Sequence, residues 1–110
     1  MERNMKMVRG DTLSFAAKIT FDSDVQELDT AYFTCKANVD DTELVFQKSL
    51  SDGITKVSAE GNTLIYRVRV APEDTEEIEV GDYYYELEIG LNSDEFTILK
   101  GILKIEWNLD

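Results

Sequence analysis

The sequence predicts an all-β domain, a two-layer antiparallel sandwich of about seven or eight strands, and three observations predict it. Apolar and polar residues alternate at period two along most of the chain. Turn residues interrupt that alternation every roughly eight to twelve residues, as the strands of a sandwich require. Helical periodicity is nearly absent, with one short helical turn expected near residues 72–78. A small closed barrel is the alternative arrangement of the same strands.

Thr12 to Phe21 sets Leu13, Phe15, Ala17, Ile19 and Phe21 on one face. Tyr32 to Ala37 follows with Phe33, Cys35 and Ala37 inward, then Glu43 to Leu50 and a short Ile54 to Ser58, with Asp52-Gly53 as the turn between the last two. Asn62 to Val70 turns Leu64, Tyr66, Val68 and Val70 in, and Ile65, Arg67 and Arg69 out. Pro72 to Ile78 has proline at a first-turn position and carboxylates where a helix dipole favours them. The clearest strand, Tyr83 to Leu91, places Tyr83, Tyr85, Leu87, Ile89 and Leu91 opposite Tyr84, Glu86 and Glu88. In the last strand Leu103, Ile105, Trp107 and Leu109 read as inward, whereas Phe96, Ile98 and Leu99 break the phase, which a bulge or bend near Gly101 reconciles. Residues 1–7 read as an N-terminal segment free to be flexible, ahead of one domain over 8–110.

Composition narrows the function. A chain of 110 residues supports one core. Histidine is absent, which removes the commonest general base and metal ligand, so no enzyme, cofactor or metal is expected. The formal charge of −12, from 23 acids against 11 bases, repels phosphate backbones and argues against direct nucleic-acid binding. Cys35 is the only cysteine, which fits a reducing compartment. The opening residues are charged where a signal peptide would be apolar, and no stretch approaches the roughly 18 apolar residues of a membrane span. Neither a membrane nor a small-molecule substrate is expected as a partner.

Two short motifs read as structure. Arg9-Gly10-Asp11 matches the integrin tripeptide but reads as a tight turn opening a strand. Asp22-Ser23-Asp24 with Glu27 and Asp29 lacks the glycine and glutamate of a helix–loop–helix calcium site, since Glu27 and Phe33 stand there.

A short helical turn followed by Gly81 and the tyrosines of a central strand has the form of a tyrosine corner, the device by which immunoglobulin-like sandwiches tie a tyrosine hydroxyl to the preceding connection. Gly81 and Tyr83 or Tyr85 would fill it. Three segments taken together carry a more particular resemblance: Val8 to Phe15, Ala71 to Thr75 with Val80 to Leu87, and Thr97 to Gly101. They resemble small tailed-phage and prophage virion proteins related to the immunoglobulin-like N-terminal domain of baseplate upper proteins, although Val80 stands where that pattern commonly has proline. The resemblance implies a non-enzymatic structural or accessory protein of tail, baseplate or head. It would be made in the bacterial cytoplasm, enter the virion and bind other phage structural proteins or copies of itself.

Between Val70 and Leu99 there is no Lys or Arg but there are ten acids. The expected docking surface is Glu73, Glu76, Glu77, Glu79, Glu86 and Glu88, with Tyr84 as its aromatic anchor. The alternative is a small acidic inhibitor, a nucleic-acid mimic that occupies a basic channel on a host protein. A carbohydrate-binding module is a third reading, weakened by Trp107 reading as buried.

Overall fold

A computed structural model describes residues 1–108. Its strands are β1 (Met5–Val8), β2 (Leu13–Thr20), β3 (Thr30–Lys36), β4 (Phe46–Leu50), β5 (Gly53–Glu60), β6 (Thr63–Val70), β7 (Gly81–Leu91) and β8 (Asp94–Glu106). A single turn of helix, α1 (Pro72–Thr75), joins β6 to β7. The ladder order is β1-β8-β7-β3-β4-β5-β6-β2. Only two residue pairs hold β4 to β5, and there the ladder folds over so that β2 and β6 face β3, β7 and β8. The Phe15 and Phe33 rings, on strands that share no backbone hydrogen bond, meet edge-on at 5.6 Å across the layers. Because β1 and β2 do not pair, the arrangement is an immunoglobulin-like β-sandwich and not a closed barrel.

The alternation sorts each strand as its sequence dictates. Leu64, Val68 and Val70 of β6 and Leu87 and Ile89 of β7 are buried, with Phe33, Cys35, Leu103 and Ile105 completing the core. Tyr66 reaches the core with its ring and accepts the Leu28 N–H at 2.9 Å, so its hydroxyl is satisfied. The Arg9-Gly10-Asp11 segment is the β1–β2 turn, closed by the Asp11 N–H on the Val8 carbonyl at 3.0 Å.

Several expectations are corrected. Residues 1–7 do not stand outside the domain: β1 pairs in parallel with β8, Met5↔Leu103 through Val8↔Glu106, and Met7 is buried. The sandwich is therefore not purely antiparallel. The phase break in β8 falls at Ile98 and not at Gly101, because the register passes from Leu87↔Leu99 to Glu88↔Thr97 and leaves Ile98 as the extra residue. Ala37 and Trp107 lie just past the ends of β3 and β8 and are exposed, Trp107 at 60%, since pleating no longer directs a side chain once the strand has ended. Leu109 lies outside the described residues. β4 begins at Phe46 and not at Glu43, β5 extends to Glu60, and helix covers only Pro72–Thr75 of the stretch to Ile78.

Candidate functional site

The β6–β7 connection is built around α1. Pro72 opens it, and the Ala71 N–H donates to Asp74 Oδ2 at 2.7 Å, which supplies a cap that the alanine side chain cannot. Asp74 turns inward to an ion pair with the buried Lys48, 3.1 Å away. Thr75 is fully buried and its Oγ1 accepts the Gly10 N–H at 2.9 Å, which locks the connection to the β1–β2 turn. Glu73, Glu76, Glu77 and Glu79 are left exposed, and among the described residues none forms an ion pair.

Gly81 opens β7 at a φ of +149°, a backbone conformation that side chains disfavour. Tyr83 donates its hydroxyl to the Glu79 carbonyl at 2.6 Å, back to the preceding connection. Burial raises the Tyr83 pKa, with smaller contributions from Cys35 and Glu79. Tyr85 is buried and donates instead to the Arg3 carbonyl of the N-terminal segment.

Tyr84, Glu86 and Glu88 occupy the outward face of β7 but do not join the acids of the connection. Glu88 lies seven residues beyond Gly81, or roughly 24 Å along an extended strand. Nor is this face simply acidic. The sheet sets Lys36 beside Tyr84, Lys100 beside Glu86 and Lys104 beside Asp82, so cations distant in sequence interleave with the carboxylates. On the opposite layer Arg67 and Arg69 of β6 and Lys18 of β2 are exposed and without ion pairs among the described residues.

Two hollows accompany these features. The larger, about 550 Å³, lies between the outward face and the N-terminal segment, with Glu2, Lys36, Tyr84, Glu86, Lys100 and Ile102 in its walls. The smaller, about 370 Å³, lies where β7 begins, against Val80, Lys104 and Trp107. Trp107 is held there by Arg9, whose guanidinium carbon sits 4.6 Å from the ring centre and whose Nη1 donates to the Ile78 carbonyl at 3.1 Å. The β6–β7 connection, through the Ile78 carbonyl and Val80, therefore gains an aromatic neighbour that sequence reading assigned to the core. Glu2, Lys36 and Lys100 were missed too, since only non-local pairing brings them beside Tyr84 and no local pattern marks them.

No family model matches the chain, and no curated protein matches it. Solved structures match by shape. One is a family 123 glycoside hydrolase from Clostridium perfringens, an enzyme of glycolipid glycan hydrolysis, with a TM-score of 0.56 and 10% identity over 97% of this chain and 23% of that one. This chain thus spans less than a quarter of that enzyme's length, and the likeness is one of fold. Another is a voltage-gated sodium channel β subunit with multimeric cell-adhesive interactions, at a TM-score of 0.46 and 11% identity over 96% of this chain and 92% of that one. A third is the extracellular domain of the sodium channel β4 subunit, which forms parallel homodimers, at a TM-score of 0.39 and 14% identity over 98% and 93%.

Proposed function

We propose that this chain is a non-enzymatic structural or accessory protein of a tailed-phage or prophage particle, working by contact with other virion proteins or with copies of itself. The sequence resemblance supplies the context, and the observation that supports contact as the activity is the Trp107–Arg9 pair. Tryptophan and arginine dominate protein–protein hot spots. Here the tryptophan is largely exposed, its stacking partner is fixed to a backbone carbonyl, and a hollow lies alongside. Such an anchor is already ordered before a partner arrives, which lowers the entropy cost of binding. The exposed acids Glu76, Glu77 and Glu79, on the connection whose Ile78 carbonyl holds Arg9, would orient a basic partner and speed the encounter.

The test is mass spectrometry of purified, nuclease-treated particles from the host of the gene, with the protein quantified against the major capsid protein. Incorporation that is lost in Trp107→Ala, with the variant still folded, supports the reading. Normal particles with no trace of the chain would sink it. The four exposed acids Glu73, Glu76, Glu77 and Glu79, without ion pairs among the described residues, favour a second reading, an inhibitor that occupies a basic channel on a host protein. It requires binding to such proteins that is lost when all four become Gln.

A further inference from the structure

We propose that the 550 Å³ hollow on the outward face of β3, β7 and β8 is a binding site for an uncharged glycan. Its volume falls within the roughly 300–1,000 Å³ of ordinary ligand sites. The floor is apolar and aromatic: Tyr84, 41% exposed, lies between Ile102 and Lys36 in the register. Around it stand Glu2, Glu86, Lys36 and Lys100, two carboxylates and two ammonium groups, so the lining is electrically neutral in a chain of net charge −12. Among the described residues none of the four forms an ion pair, which leaves all four free to bond a ligand.

That chemistry matches a pyranose. A sugar ring has an apolar C–H face that stacks on an aromatic ring and a rim of hydroxyls that both donate and accept. Carboxylates accept from hydroxyls and ammonium groups donate to them. A polyanion would meet Glu2 and Glu86, and a polycation the two lysines. A peptide added as a strand needs a free sheet edge, whereas β3, β7 and β8 each have a strand on both sides.

The wall on the N-terminal side is preformed. Arg3 N–H donates to the Lys100 carbonyl at 2.8 Å, Lys100 N–H to the Met1 carbonyl at 3.0 Å, and Ile102 N–H to Asn4 Oδ1 at 3.0 Å. The hollow therefore does not have to be assembled when a ligand arrives.

The experiment screens the full chain on an array of uncharged bacterial and plant polysaccharides. An oligosaccharide of any retained glycan is then titrated into ¹⁵N-labelled protein, with a peptide of alternating Lys and Glu as the control. The expected result is retention of at least one neutral glycan, with amide shifts at Lys36, Glu86 and Lys100. Retention should be lost in Tyr84→Ala and unchanged in Trp107→Ala, so this site and the virion contact fail separately. Glu86→Gln, which keeps the side-chain shape, should weaken binding by roughly tenfold. Retention of no neutral glycan, binding indifferent to Tyr84→Ala, or shifts caused by the charged peptide alone would each overturn the proposal.

Discussion

Tyr85 and Gly101 face each other across β7 and β8, and the missing side chain of the glycine lets the tyrosine hydroxyl reach past it to the Arg3 carbonyl. A Cβ at Gly101 would run into that same carbonyl. The pair therefore fixes the path of the N-terminal segment, and with it one wall of the larger hollow. The β1–β8 ladder holds Met5 to Val8, and the Tyr85–Arg3 bond adds a side-chain tie just ahead of it.

Gly101→Ala should therefore displace residues 1–4 and cost about 1–3 kcal/mol, the usual range for forcing an atom into a packed site. Tyr85→Phe should cost about 1 kcal/mol, since it leaves the Arg3 carbonyl without its donor. Urea denaturation measures both, and hydrogen exchange at Arg3 and Lys100 should rise selectively. Unchanged exchange at those amides would contradict the coupling.

Tyr83 and Tyr84 are neighbours with opposite roles. Tyr83→Phe removes the donor to the Glu79 carbonyl and should cost about 0.5–1 kcal/mol, the lower part of the range for a hydrogen bond that water can partly replace. Tyr84→Phe should leave stability unchanged, because its side chain is 41% exposed and its hydroxyl has no hydrogen-bond partner among the described residues. Equal losses at the two positions in urea titrations would refute the assignment.

Lys48 and Asp74 form an ion pair with side chains only 11% and 16% exposed. Lys48→Met leaves Asp74 without its partner and should cost about 3 kcal/mol, at the lower end for broken buried pairs. Adding Asp74→Asn removes the stranded charge yet keeps an acceptor for the Ala71 N–H, so the double variant should recover much of that loss. Additive losses in a double-mutant cycle would show that the two side chains act independently.

The strands of the core were legible because alternation is a local signal. Leu64 to Val70 and Tyr85 to Ile89 needed nothing but their own neighbours to be sorted by face. Trp107 and Ala37 were misread because the pattern was carried beyond the last paired residue, and strand ends are set by partners. Gly101 drew the expected bulge because glycine is its usual marker. Its role is instead set by the distant Arg3, while the extra residue is Ile98. The charge map was the least legible feature. Ten acids between Val70 and Leu99 without a cation describe a segment, but a sheet face is assembled from strands far apart, and pairing with β3 and β8 brings Lys36, Lys100 and Lys104 in beside residues of β7.

Alkali should destabilise the domain before any surface group accounts for it. Burial pushes the Cys35 thiol from its ordinary 9.0 up to about 12. Burial likewise raises Tyr85, partly offset by the Arg3 charge, and Tyr83. In each case the folded state keeps a proton that the unfolded chain releases, so stability is complete below the unfolded pKa and falls as pH rises above it. For Cys35 that window runs from 9.0 to about 12. Cys35→Ala, less stable overall because it leaves a cavity, should lose less between about pH 8 and pH 10 than the parent. The native thiol should resist iodoacetamide at pH 8 and react fully in denaturant.

Glu88 gives the last prediction and the opposite end of the pH scale. Its pKa is raised above the ordinary 4.5, first by burial and then by the charges of Glu95 and Glu86. The folded state therefore binds this proton more tightly than the unfolded chain does. The associated stability is fully present below the unfolded value and is lost as pH rises through the folded one. At neutral pH the ionised carboxylate is a net burden, and no ion pair relieves it among the described residues. Glu88→Gln removes the charge and keeps the shape. It should raise stability at pH 7 by a few tenths of a kcal/mol, the scale of like-charge effects at partly exposed sheet positions. Near pH 3.5, where the parent carboxyl is protonated in both states, the gain should vanish. Urea titrations of both proteins at the two pH values measure it. A variant less stable than the parent at pH 7, or a gain that persists in acid, would show that Glu88 contributes a contact of its own.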